Sequence, residues 1–119
     1  MNADELQNKA KALREDGQLE QAISVFKQAI ELDESDPWNY LYVGNCHYAD
    51  DDYNNALEYF KKAQSLMPEN PSPYWCLANA YEKLGDIKTA DMLYHKAVEA
   101  DPSDGTAAKN LKRWMQKNK

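Results

Sequence analysis

Apolar and polar positions along the chain follow a helical rhythm that restarts every 34 residues. Sliding the sequence by that step puts Gly17 on Asp51 and Gly85, Ala22 on Ala56 and Ala90, and Phe26 on Phe60 and Tyr94. Ala29, Ala63 and Ala97 fall in the same register, as do Asn45 with Asn79 and Pro68 with Pro102, and no insertion is needed. A fixed period of this length marks a stack of supersecondary units, each burying its apolar face only against its neighbours.

Each unit predicts two helices. Asp36-Pro37 and Asn70-Pro71 join a capping side chain to a proline at the first helical position, opening helices near 37–50 and 71–84. Gly17 and Gly85 stand where a left-handed residue ends a first helix, and Asp51 takes that place in the middle unit. Asp52 and Asp86 are then placed to cap second helices near 53–67 and 87–100. The first unit pairs helices near 3–16 and 19–33, and a seventh helix is predicted near 104–118. Alanines seven apart on each second helix let a neighbour approach closely, and Phe26, Phe60 and Tyr94 fill the space between them. In the seventh helix Ala107, Ala108, Leu111, Trp114 and Met115 form one stripe, with lysines opposite, which suits the end cap a stack requires.

The fold class is therefore all-α. Charged residues make up 29% and hydrophobic ones 43% of the 119 residues, which is ordinary for one folded domain spanning 1–119. The net charge of −6 makes the chain a poor match for nucleic acid or an anionic membrane. That charge is uneven. Residues 105–119 carry Lys109, Lys112, Arg113, Lys117 and Lys119 and no acid, so this +5 leaves −11 on the rest. The cations suit the dipole of a C-terminal helix, and a basic docking patch is the alternative. No apolar run approaches the roughly 18 residues that suggest a membrane span. Cys46 and Cys76 form no CxxC pair and the polar N-terminus shows no secretory signal, so a cytoplasmic setting is the default expectation, open to a signal already removed.

A helix–turn–helix of this period with small–small–aromatic–small spacing resembles the tetratricopeptide repeat (TPR) family. The third repeat, YWCLANAYEKLGDIKTADMLYHKAVEADP, carries the likeness best. The middle repeat has Tyr40, Val43, Gly44, Tyr53, Ala56, Phe60, Ala63 and Pro68 at the family's signature places, and the first repeat is the most divergent. The repeats run approximately over 3–36, 37–70 and 71–104, with a capping helix over 105–119. The resemblance implies a right-handed α-solenoid of three units with a seventh, solvating helix. It also implies a concave groove, lined by the first helix of each pair, where peptides or partner proteins bind.

Helical spacing divides the crowded stretch WNYLYVGNCHY, residues 38–48. Tyr40, Val43, Gly44 and His47 share a core face. Trp38, Leu41, Asn45 and Tyr48, with Tyr42 beside them, point to the groove if the family geometry holds. Trp75 and Asn79 occupy corresponding places one repeat on, flanked by Glu82 and Lys83. The first helix supplies Asp4, Gln7, Lys11, Arg14 and Glu15, and the last Lys109, Asn110 and Arg113, so cations stand toward both ends. Exposed aromatic rings are strong binding anchors, and asparagine amides suit the backbone of an extended peptide. The expected contact set is therefore Trp38, Leu41, Tyr42, Asn45, Tyr48, Trp75, Asn79, Lys11, Arg14 and Arg113.

One subgroup of the family clamps the C-terminal carboxylates of heat-shock chaperones with Lys and Asn side chains. The matching positions here hold Gln7, Lys11, Tyr42, Ser72 and Cys76, so chaperone tails are not the expected ligand. No catalytic constellation is visible. Cys46 and His47 are adjacent on a helix and their side chains diverge. The two His and two Cys lack metal-ligand spacing, and no phosphate-binding glycine loop occurs. Asp50, Asp51 and Asp52 read as a turn and a cap rather than a calcium loop. The expected function is a protein-interaction scaffold without cofactor, metal or enzymatic activity. The alternative is a self-assembly module in which the same aromatic patch, or the ends of the stack, join copies into a homo-oligomer.

Overall fold

Alternating caps and left-handed turns divide the chain into seven helices. The computed structural model describes residues 1–119 and contains no strand. The helices are α1 (Ala3–Glu15), α2 (Leu19–Leu32), α3 (Pro37–Ala49), α4 (Tyr53–Leu66), α5 (Pro71–Lys83), α6 (Ile87–Ala100) and α7 (Gly105–Lys117). Their ends fall within one residue of the predicted ones. The first helix of each pair stops one residue early because Asp16, Asp50 and Leu84 serve as C-caps.

The start signals act as their chemistry requires. The Asp36 carboxylate accepts the Trp38 N–H at 3.0 Å and the Asn70 amide oxygen accepts that of Ser72 at 2.9 Å. Asp86 accepts from Thr89 at 3.2 Å, whereas Asp52 reaches the Asn55 N–H only at 3.4 Å and holds the Asn55 side-chain amide at 2.7 Å. Asn2 and Glu5 complete a capping box on α1. Between the helices of each pair the backbone turns left-handed at Gly17 (φ 80°), Asp51 (φ 58°) and Gly85 (φ 84°).

The chain forms two compact units, Met1–Leu66 and Met67–Lys119. In the first, α1 packs on α2, α2 on α3 and α3 on α4. Ala10, Ala22, Phe26, Ala29, Val43 and Cys46 are buried together, and Gly44 lies directly on the buried Phe60 ring. In the second, α5 packs on α6 and both meet α7, with Ala90, Tyr94, Ala97, Ala107 and Trp114 buried. The Tyr40 hydroxyl donates to the Glu34 carbonyl at 3.2 Å, and 34 residues on the Tyr74 hydroxyl donates to the Pro68 carbonyl at 3.0 Å. Tyr40 and His47, expected in the core, are only partly buried; His47 lies on the Tyr59 ring and faces Asp52.

The apolar stripe expected on α7 splits. Ala107 and Trp114 are buried, Leu111 is partly so, and Ala108 and Met115 are exposed. At about 100° per residue the five positions spread over roughly 120° of the helix, more than one packing face covers.

Candidate functional site

The first unit gathers four of the expected contact residues into one cluster. Lys11 and Arg14 lie a turn apart on α1, and Trp38 and Tyr42 a turn apart on α3. Tyr42 stacks on the buried Phe26 ring, with centroids 5.3 Å apart, and stands 6.2 Å from Trp38. The Lys11 ammonium lies 5.3 Å and the Arg14 guanidinium 5.1 Å from the centre of the Tyr42 ring. Such cation–ring contacts hold both charges over the aromatic surface.

Both cations are partly buried, and neither forms a salt bridge with a carboxylate. In a chain with 20 acids to 14 bases, these two cations meet an aromatic ring and no carboxylate. Trp38 keeps 37% of its surface exposed at the edge of the cluster. Chemically, the cluster offers several N–H donors, one of them the fork of a guanidinium, beside an aromatic face. That combination fits a carboxylate next to an apolar side chain.

Other expected contact residues are placed differently. Leu41 is buried, 4% exposed, and does not belong to an open surface. It sits mid-helix in α3, which packs against α1, α2 and α4, and an aliphatic side chain has no polar tip to carry to water. Asn45 and Tyr48 are partly buried, and Tyr48 meets Tyr53 edge-on at 5.3 Å. Gln7 donates its amide to Asp36 at 3.1 Å and to Asn39 at 3.0 Å, so it fastens the start of α3. Asn39 is 1% exposed, a fully buried polar side chain that sequence pattern did not single out.

In the second unit a polar network absorbs two further candidates. The Tyr94 hydroxyl stands between the Asn79 amide oxygen and Glu82 Oε1, the latter at 2.8 Å, and accepts an N–H of Arg113 at 2.8 Å. Arg113 also approaches Glu82 at 3.4 Å, and Lys117 reaches the other carboxylate oxygen at 2.5 Å. Arg113, expected to face a partner, ties α7 to α5 and α6 while its side chain stays 47% exposed. The signal for this lay in Tyr94 itself. Phe26 and Phe60 fill the same position without a hydroxyl, and a buried hydroxyl needs partners. Trp75 is partly buried, with its ring N–H enclosed and without an acceptor.

Burial by itself would raise the Glu82 carboxyl, but hydrogen bonds from Lys117 and Tyr94 and the charges of Arg113 and Lys117 outweigh it and hold it below the ordinary 4.5. Burial, and then Glu82, push the Tyr94 hydroxyl well above its ordinary 10.0. A depressed carboxyl stabilises the folded state fully above its unfolded value and loses that contribution as pH falls through the folded one. The wild type is therefore expected to lose stability more steeply than Glu82→Gln below about pH 4.5, with the gap between them closing in acid. Unfolding midpoints between pH 7 and 2.5 check this; parallel curves would contradict it.

Burial raises the Cys46 thiol and pushes that of Cys76 up to about 12, so neither is poised as a nucleophile. No three His, Cys, Asp or Glu side chains gather into a set able to hold a metal. No helix is long and apolar enough to cross a membrane.

Helical hairpins repeated at 34 residues, with alanines flanking a buried ring on each second helix, define the class of helical-repeat proteins. The family model described as Tetratricopeptide repeat matches residues 47–115, and the one described as TPR repeat matches 10–51. The chain belongs to the tetratricopeptide repeat family. It is 29% identical over 110 residues to the heat shock protein sti1 homolog of Schizosaccharomyces pombe, which covers 92% of this chain and 19% of that protein. The chain spans only a tenth to a fifth of the length of the curated relatives it matches.

Among solved structures it superposes on the first TPR of Spaghetti (RPAP3) bound to the HSP90 peptide SRMEEVD. That match has a TM-score of 0.86 and 18% identity, covering 97% of this chain and 91% of the other. It also superposes on the Yersinia enterocolitica type III secretion chaperone SycD in complex with a peptide of the translocator YopD. There the TM-score is 0.86 and the identity 20%, covering 98% and 94%. At these identities the likeness establishes the fold.

Proposed function

We propose that the chain is a protein-interaction module that binds a partner segment at the Lys11–Arg14–Trp38–Tyr42 cluster. The carrying observation is the pair of partly buried cations held over one aromatic ring without a carboxylate partner. A charge withdrawn from water is stabilised by an opposite charge, and a peptide carboxylate would supply it. The preferred ligand is an extended acidic peptide with an aromatic or aliphatic side chain beside its carboxylates. Relatives of the same fold, as described above, are seen with peptides bound, which supports this reading.

The chaperone-tail mode is not proposed. Of the positions that would clamp a terminal carboxylate, Gln7 is committed to Asp36 and Asn39, and Cys76 is buried. Nothing in the cluster pairs a nucleophile with a base, and the proposed role is binding without catalysis.

A peptide array of mixed sequences, followed by titration in solution, tests the reading. Peptides rich in Asp and Glu next to Leu, Phe or Trp should bind best. Trp38→Ala, and separately Lys11→Glu with Arg14→Glu, should each weaken binding at least about tenfold while helical circular dichroism stays unchanged. Undiminished binding by both variants would sink the proposal.

A further inference from the structure

The seventh helix carries a second apolar face, distinct from the one it buries. Ala108, Leu111 and Met115, with Val98 of α6, line an open cavity of about 420 Å³, bordered by Lys112 and Lys119. Met115, in the middle, is 53% exposed. The α7 positions follow one another at spacings of three and four residues, so they make a straight stripe about 10 Å long on the side of the helix.

The charge of α7 is divided between its two flanks. Arg113 and Lys117 both pair with the single carboxylate of Glu82 on one side. Lys112 and Lys119, on the side of the open stripe, form no salt bridge. An apolar stripe bordered by unpaired cations has a definite complement. Its shape fits the apolar edge of another helix, laid along it as ridges pack into grooves. Its electrostatics call for carboxylates along the side of that edge that meets Lys112 and Lys119. Antiparallel pairing with a second copy about a two-fold axis would bring the two Lys112–Lys119 flanks to the same side, like charge beside like charge.

We infer that this face of α6 and α7 is a docking site for an acidic amphipathic helix of a partner protein. The site is separate from the cation–aromatic cluster of the first unit and does not depend on it. Leucine-like side chains one turn apart fill the stripe, and the flanking acids meet Lys112 and Lys119.

The test uses the full chain and a fluorescein-labelled helical peptide of about five turns. The peptide carries Leu on one stripe and Glu elsewhere; its control carries Lys in place of Glu. The acidic probe should bind, read as a rise in anisotropy, and the basic one should not. Met115→Glu should weaken binding at least about tenfold. Lys112→Glu with Lys119→Glu should do the same and transfer preference to the basic probe. The titration is repeated on a chain carrying Lys11→Glu with Arg14→Glu, and Met115→Glu should weaken binding there as well, which separates this site from the cluster of the first unit. Lys112, Met115 and Lys119 are exposed, so the variants should keep their helical circular dichroism. Equal binding of both probes, or indifference to Met115→Glu, would overturn the inference. So would sedimentation showing that the stripe joins copies of the chain in a Met115-dependent way.

Discussion

Replacing Trp114 with alanine is expected to remove about 3–5 kcal/mol of stability, the range for deleting a large buried aromatic side chain. Trp114 is 1% exposed and its ring lies 5.0 Å from that of Tyr94. Its N–H donates to Asp91 at 2.8 Å, so the side chain both fills the seam between α6 and α7 and closes it with a directed bond. A domain of this size is stable by only about 5–15 kcal/mol, so the loss is a large share of the whole. Alanine leaves a cavity that the rigid ring of Tyr94 cannot close. Trp114→Phe keeps the ring contact and gives up the hydrogen bond, which is worth about 1 kcal/mol. Urea unfolding followed by far-ultraviolet circular dichroism separates the two. A small loss for Trp114→Ala, equal to that for Trp114→Phe, would show that the ring does not hold α7.

The second large effect is expected at Gly44. A side-chain carbon built there would stand 2.5 Å from two carbons of the Phe60 ring, well inside contact distance. Phe60 is 1% exposed and has no empty space to swing into. The equivalent positions of the other repeats, Ala10 and Ala78, hold a methyl and are fully buried, so the middle repeat is drawn together more tightly than its neighbours. Gly44→Val should cost about 3 kcal/mol through overpacking, even though glycine is itself a poor helix residue. Paired with Phe60→Leu, which withdraws part of the ring, the penalty should shrink, and a double-mutant cycle measures that coupling. Additive losses would show that the two residues do not meet.

The periodic signals carried most of the fold. Proline after Asp36 and Asn70, glycine at 17 and 85, and the alanines around Phe26, Phe60 and Tyr94 place the helix ends and the buried faces with little tertiary help. Asp51 was legible as a left-handed residue only because the register set it beside two glycines. The candidate site was legible in part. The geometry implied by the family resemblance put Lys11, Arg14, Trp38 and Tyr42 on one surface, and these four lie together in the first unit. Spacing did not separate Leu41 from its exposed neighbours, because burial of a mid-helix position depends on how many helices surround it. Nor did it show that Arg113 and Gln7 are spent inside the protein, since the acceptors that claim them lie about thirty residues away. The buried amide of Asn39 escaped notice for the same reason.

The helices of each unit pack mainly on the helices next to them in the chain, and the longest side-chain bonds reach one repeat along it, from Gln7 to Asn39 and from Lys117 to Glu82. Contacts this short in sequence require only small loops to close before they are formed. Proteins built this way lie at the fast end of the folding range, in microseconds to milliseconds. During synthesis, α1 and α2 can therefore pair while the segment that becomes α7 is still being translated.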